Sequence, residues 1–494
     1  MAPVTKSAAL DDSLDESALG ALRETSSGED EDDAPTRVPR VLGGALVGVD
    51  GVPVEVEVRI SSQLPRVDIV GLPEAAVRES AARVRAAIAA VGQRFPNRRV
   101  TVNLAPASLR KSGAGLDLPI AVAILAAAGL APWDAMRGLG LVGELALDGR
   151  IRSVRGALPQ VLALAQAGCT RIVVPTANGP EAALAREAKP YTAGSLGEVL
   201  AWLHGAGELP RAEPLFASES APCEPDLATI RGQAHAKRAL EIAAAGAHGL
   251  LLRGAPGAGK TLLARALPGI LPPLRFEEAL EVARIRSVAG TLEADAALGF
   301  VRPFRAPHHS ASRAGLLGGG NPPQPGEATL AHRGVLFLDE LPEFERRCLE
   351  SLRQVLEDGT IVLSRAQLRV ALPARFLLVA ACNPCECGWH RSGVRDCRCD
   401  DGQLARYEAR LSGPLLDRID LHVPVRPVPF RELDAPAGAE PSAAVRERVL
   451  RARAARAASR SARRRDELRD PRERAARVHR RNARCARAAR PRRR

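Results

Sequence analysis

Aromatic side chains make up only 3% of this 494-residue sequence, so large rings cannot fill its interiors. Cores must be assembled from Ala, Leu, Val and Ile, within an apolar total of 46%. There is no uncharged apolar run of about 18 residues, which argues against a membrane-spanning helix. The N-terminus carries Asp and Glu where a secretory signal needs a basic stretch followed by an apolar one. A cytoplasmic globular protein is the expectation these absences leave. The length allows two or three domains, each with its own core.

Lysine is missing from the last 49 residues, yet that stretch dominates the charge. Residues 446–494 hold 21 Arg and five acidic residues, whereas residues 1–37 hold ten acidic and three basic ones. The net charge of +13 therefore belongs to a tail, and the body of the chain is close to neutral. Nine cysteines are present, five of them between Cys382 and Cys399. Local clustering in a large chain without a secretory signal points to a metal or to reduced thiols, not to a disulfide framework.

Composition and periodicity divide the chain into five stretches. Residues 1–37 are acidic and apolar-poor and are expected to be disordered. Residues 38–205 alternate strand and helix signals: Val54–Ile60, Val67–Val70 and Arg99–Leu104 read as strands, and Ala75–Ala90 as a helix. Residues 206–225, rich in Gly, Pro, Ala and Glu, read as a linker. Residues 226–430 repeat an α/β pattern in which strands end on polar residues, as in a parallel sheet with its chemistry at the carboxyl edge. Residues 431–494 are Arg-rich, able to form helix but with little to bury.

The second α/β stretch carries the chemistry. Gly254-Ala255-Pro256-Gly257-Ala258-Gly259-Lys260-Thr261 fits the phosphate-binding loop and sits between a strand and a helix, as that motif requires. Glycines let backbone amides wrap phosphates, Lys260 reaches the β- and γ-phosphates, and Thr261 offers a hydroxyl to Mg²⁺. The apolar strand Val335–Leu338 delivers Asp339, suited to hold Mg²⁺, and Glu340, suited to polarise a water. Asn383 follows a third strand and can orient that water or the γ-phosphate; a turn residue before Pro384 is the alternative. Arg418 is either a surface arginine or a finger inserted into a neighbouring subunit's site. Cys385, Cys387, Cys397 and Cys399 could hold Zn²⁺ tetrahedrally, although one-residue gaps are tighter than usual, and reduced thiols are the alternative. Pro307-His308-His309, before the Gly-rich loop 315–321, has no evident third ligand and suggests a structural or pore-loop role.

These motifs, together with Arg231–Leu240, Phe304–His309 and Leu411–Asp420, resemble the Mg-chelatase-like AAA+ family typified by ComM and YifB. The resemblance runs from about Val38 to Val428. It implies a hexameric ring ATPase using ATP and Mg²⁺, associated with DNA branch migration in recombination and natural transformation. It also implies that Ile230, Gly232 and Gln233 face adenine, that Asn383 is the sensor and that Arg418 is the finger. A magnesium-chelatase-like metal-insertion motor is the alternative. The first domain resembles the Lon protease fold through Val102–Pro106 and Lys111–Asp117. Gly113 stands where Lon enzymes carry their nucleophilic Ser, and residues 151–170 lack the Lys, so a non-proteolytic module is expected. Family members end in a helical lid, which the arginine-dense C-terminus is not expected to form. A shifted reading frame in GC-rich coding DNA accounts for that composition; a genuine tail gripping phosphates is the alternative.

Overall fold

The computed structural model describes residues 40–216, 224–292, 298–320, 322–365, 368–411, 413–429 and 440–467. The acidic N-terminal stretch, part of the expected linker and the end of the Arg-rich tail lie outside these residues.

The first domain is built on a seven-stranded mixed sheet. Its strands are β1 (Arg40–Val47), β2 (Asp50–Ser61), β3 (Val67–Val70), β4 (Arg99–Ala105), β5 (Leu139–Leu141), β6 (Arg171–Pro175) and β7 (Tyr191–Ala193), in the order β3-β4-β2-β1-β5-β6-β7. The strand pairs β1–β2 and β2–β4 are antiparallel, the rest parallel. Along β2 and β4 the valines alternate inward, as a half-covered sheet demands. Three helices cover the sheet: α1 (Ala75–Ala90), α2 (Asp117–Ala127) and α3 (Ala157–Gln166). In α2 every residue from Asp117 to Leu125 is buried, so its one charge must be paired. Arg83 meets that need with Nε 2.7 Å from Asp117 Oδ2, helped by Ser80 and the Leu145 amide.

The second domain carries the helices α5 (Ala234–Gly246), α6 (Lys260–Ile270), α7 (Phe276–Ala289), α8 (Arg346–Asp358) and α9 (Asp401–Arg410); α4 (Leu196–Leu203) closes the first domain. Its sheet has five parallel strands, β8 (Leu250–Gly254), β9 (Phe304–Arg305), β10 (Val335–Leu338), β13 (Leu377–Cys382) and β14 (Leu421–Val425), in the order β9-β10-β13-β8-β14. Strands β10 and β13 are buried along their whole length, the mark of a sheet covered on both faces. A hairpin, β11 (Thr360–Arg365) with β12 (Leu368–Pro373), follows α8 in the chain and buries Ile361, Val370 and Leu372 in the core.

Each domain has its own core, and a further apolar cluster joins the two. Leu158, Val161 and Leu164 of α3 pack with Ala279, Val282 and Ala283 of α7. Across this seam the Ser287 hydroxyl donates to Glu181 at 2.5 Å and the Gly156 amide donates to Ser287 O at 3.0 Å. The described part of the expected linker runs along the first domain: the Thr192 amide donates to Pro210 O and the Ala212 amide to Pro190 O.

The Arg-rich C-terminal stretch yields α10 (Ser442–Glu467). Its first turns do bury apolar surface, contrary to the expectation of little to bury: Val445 and Val449, four residues apart on one face, are 5% and 0% exposed against α5 and α6. Among the described residues no helix is long and apolar enough to cross a membrane.

Candidate active site

Parallel register aligns the strand ends that matter. Arg253 of β8 pairs with Cys382 of β13, and Leu338 of β10 with Ala380 of β13, so the residues following each strand meet at one edge. There Pro256–Leu262, Asp339, Glu340, Cys382 and Asn383 line a cavity of about 390 Å³. The loop can turn because Gly257 and Gly259 take φ of +76° and +88°, with open space where a Cβ would stand. Helix α6 then begins at Lys260 and points its N-terminus into the cavity.

Lys260 is buried and its ammonium donates to Gly254 O (2.8 Å), Ala255 O (3.0 Å) and Asn383 Oδ1 (3.0 Å). Burial lowers its pKa, and the Asp339 charge opposes that shift. The Thr261 hydroxyl donates to Asp339 Oδ2 at 2.7 Å, and Asp339 Oδ1 accepts from the Glu340 amide at 3.0 Å. Hydroxyl and carboxylate side by side form an all-oxygen set that suits a hard divalent cation. Glu340 sits at φ +52°, a left-handed conformation that costs a non-glycine residue of order 1 kcal/mol or more. Cys382 is a buried thiol pushed up to about 11, so it stays neutral beside the phosphate loop.

The residues expected around adenine lie against the same loop. The Gln233 amide donates to Ala258 O (3.0 Å) and Arg426 O (2.6 Å), tying the loop to the end of β14. Gly232 and Gln233 both have positive φ, and Ile230 is 3% exposed, its carbonyl accepting from Lys237. Arg418 is not among the residues lining the phosphate cavity; it pairs with Glu357 of α8 at 2.5 Å and is partly exposed.

One contact escaped the sequence reading. His309 Nδ1 lies 3.1 Å from Glu340 Oε2, and the His308 ring packs on it with centroids 4.0 Å apart. The histidine pair was legible as a motif, but its partner stands 31 residues away, just past the end of β10.

The four clustered cysteines come together, with every Sγ within 4.8 Å of the others. The backbone amides of Arg398 and Trp389 hold the Cys387 thiol down at about 6.

Ser112, Gly113, Ser153, Arg155 and Gln160 of the first domain line a larger cavity of about 740 Å³, which Val288, Pro322, Pro323 and Gln324 of the second domain help to enclose. Lys111 cannot serve Ser112 as a base: it is fully buried and donates to the carbonyls of Gly71, Leu104 and Pro106. Burial lowers its pKa. The cavity lining holds no lysine among the described residues.

A five-stranded parallel sheet with a phosphate loop after β8, paired acids after β10 and an amide side chain after β13 defines a P-loop ATPase domain of the AAA+ class. Residues 226–433 match the family described as "Magnesium chelatase, subunit ChlI", and residues 56–178 that described as "Subunit ChlI of Mg-chelatase". The chain is 46% identical to the competence protein ComM of Haemophilus influenzae over 418 residues, 84% of this chain and 81% of that protein. It is 48% identical to the protein YifB of Salmonella typhimurium over 413 residues, 83% of this chain and 80% of the relative. A magnesium-chelatase 38 kDa subunit of Cereibacter sphaeroides is 30% identical over 214 residues, 40% of this chain and 57% of that subunit. The chain belongs to the Mg-chelatase-like AAA+ family, of the ComM and YifB type. That membership implies ATPase activity.

Proposed function

We propose that this chain is one subunit of a homo-hexameric ring that hydrolyses ATP to move on DNA, driving branch migration during recombination or natural transformation. The observation that carries the ring is the position of Arg418. It stands outside its own phosphate cavity, on a partly exposed surface, where it can serve a neighbour. The likeness to a protein named for competence supports DNA as the substrate.

Bound ATP would supply the scissile bond to the γ-phosphate, and Mg²⁺ positive charge to offset that of the phosphate oxygens. The chain's own residues divide the remaining work. Backbone amides of Gly257–Thr261 and the Lys260 ammonium would hold the phosphates, with Lys260 exchanging carbonyl partners for phosphate oxygens. Thr261 and Asp339 would hold the metal. Glu340 would accept a proton from the attacking water, which Asn383 would orient. Ile230, Gly232 and Gln233 would flank the adenine, Gln233 also coupling it to the loop. Arg418 of a neighbour would steady the charge that develops as the bond breaks.

A metal-insertion motor is the second reading, favoured by the likeness to a magnesium-chelatase subunit. That likeness covers less of the chain at lower identity than the likeness to ComM. ATP turnover measured with and without four-way-junction DNA separates the two. Stimulation with junction binding is expected; the absence of both would sink the DNA reading. In the same assay Glu340→Gln should bind ATP and retain it, with turnover down about 100-fold or more.

A further inference from the structure

We propose that Cys385, Cys387, Cys397 and Cys399 form a closed tetrathiolate site for one Zn²⁺, which clamps the segment carrying Asn383 against the phosphate loop. The site is independent of the DNA reading above and does not rest on it.

The geometry is that of a single-ion site. Zinc–sulfur bonds of about 2.3 Å in a tetrahedron place sulfurs roughly 3.8 Å apart along each edge. Here Cys385 and Cys387 Sγ lie 3.4 Å apart, and Cys397 Sγ lies 3.7 Å from each of them. The fourth thiol, Cys399, completes a set whose ligand atoms all lie within 4.8 Å. No pair is at the roughly 2.05 Å of a disulfide, and all four are free thiols. An iron–sulfur cluster would stand between the thiolates and hold them farther apart than one ion does.

The one-residue gap that looks too tight in the sequence is resolved by a turn. The Gly388 amide donates to Cys385 O at 3.0 Å, and Gly388 takes φ +84°, so the chain doubles back and brings Cys385 and Cys387 to one side. The His390 amide points at Cys385 Sγ from 3.3 Å, the kind of outer bond that supports a thiolate ligand. Four protein sulfurs leave no open position, which marks a structural site and not a catalytic one.

Its location gives the metal a task. The same turn is packed on the phosphate loop so closely that a Cβ on Gly388 would stand 2.7 Å from Pro256 Cδ. Arg253, the residue before the loop, donates to Pro384 O at 2.9 Å, and the Tyr407 hydroxyl donates to Asn383 O at 3.2 Å. Asn383, two residues before the first ligand, is therefore held between strand β13, the loop and the cysteine knot. Fixing the knot fixes where the Asn383 amide stands relative to Lys260.

The test is metal content of the full-length protein, purified under reducing conditions with any affinity tag removed, by plasma mass spectrometry. About one zinc per chain is expected, and the Cys397→Ser/Cys399→Ser double variant should fall to about a tenth of that or less. Cys169→Ala, a buried thiol far from the knot in sequence, should keep its zinc. Circular dichroism checks that the double variant folds; should it fail, zinc release from the wild type by an organomercurial, followed with a chromogenic chelator, gives the stoichiometry directly. Less than about a tenth of an equivalent, even after reconstitution with zinc, would overturn the proposal. So would one equivalent of iron in its place. A fluorescent ATP analogue then reads the clamp: the zinc-free double variant should bind it several-fold more weakly, and unchanged binding would remove the clamping role.

Discussion

His309 Nδ1 lies 3.1 Å from Glu340 Oε2, bridging a loop before the Gly-rich segment to the acid at the end of β10. A carboxylate can only accept, so the imidazole donates and fixes the direction in which Glu340 presents its free oxygen. Glu340 already sits in a strained backbone conformation, and strain of that kind persists only where surrounding contacts over-determine it. His309 is in this view a positioning residue. His309→Ala is expected to lower kcat for ATP roughly 10- to 100-fold with little change in KM, since misplacing a reacting group acts on the chemical step. His309→Asn, which keeps a donor near the Nδ1 position, should recover most of the loss. Equal activity of the alanine variant in steady-state assays would remove the role.

Arg418 is paired with Glu357 within its own chain, a partly exposed contact of modest strength that a neighbour's phosphate could displace. Arg418→Ala is expected to keep nucleotide binding and lose turnover by about 100-fold or more. Lys260→Ala has the opposite defect, an intact finger beside a damaged loop. Mixing the two inactive variants should restore activity, because some interfaces then combine a whole loop with a whole finger. Mixtures no more active than either variant alone would show that Arg418 does not act across subunits.

What the sequence made legible was local. Ala75–Ala90 and Val67–Val70 are a helix and a strand with those same bounds, and the phosphate loop falls between a strand and a helix as its glycines require. Each of these signals lies within about fifteen consecutive residues. The rest depended on pairings distant in sequence. Glu281 holds His332 from 51 residues away, and α3 meets α7 through an apolar cluster that joins the two domains. The Gly, Pro and Glu content of residues 206–225 suggests a linker but not its path: backbone bonds from Thr192 and Ala212 lay part of it along the first domain. Arginine density hid the two valines that α10 buries, because composition averages over faces that a helix separates.

His332 gives the fold a predictable weakness to acid. It is 3% exposed, its Nδ1 accepts the Arg375 amide at 3.1 Å, and its Nε2 donates to Glu281 at 3.0 Å. Burial lowers its pKa, with Glu281 opposing the shift. A base whose folded pKa is depressed contributes stability above its unfolded value, about 6.5, and loses it as pH falls through the folded value. Protonation would also leave the Arg375 amide without its acceptor. Melting temperature should therefore drop between pH 7 and pH 5, and His332→Gln, which can donate to Glu281 without titrating, should show a shallower slope. Parallel pH profiles for the two proteins would refute this account.

The docking of α10 is the sharpest test of whether the Arg-rich C-terminal stretch belongs to the folded protein. Val449 is fully buried among residues of α5, α6 and β14. Beside it Arg448 reaches Glu241 of α5 at 2.7 Å, and Arg453 donates to Ala244 O at 2.7 Å, satisfying a carbonyl near the end of that helix. Placing a carboxylate at position 449 would bury an unpaired charge at a cost of about 3 kcal/mol. Val449→Asp should lower the melting temperature of the ATPase domain by roughly 5–10 °C. Ala455→Asp, on the exposed face of the same helix, should change it by about a degree at most. If the two variants melt alike, the helix is not seated on the domain and the composition of the segment, not its packing, describes it. If they differ as expected, the first turns of this arginine-rich helix are part of the nucleotide-binding core.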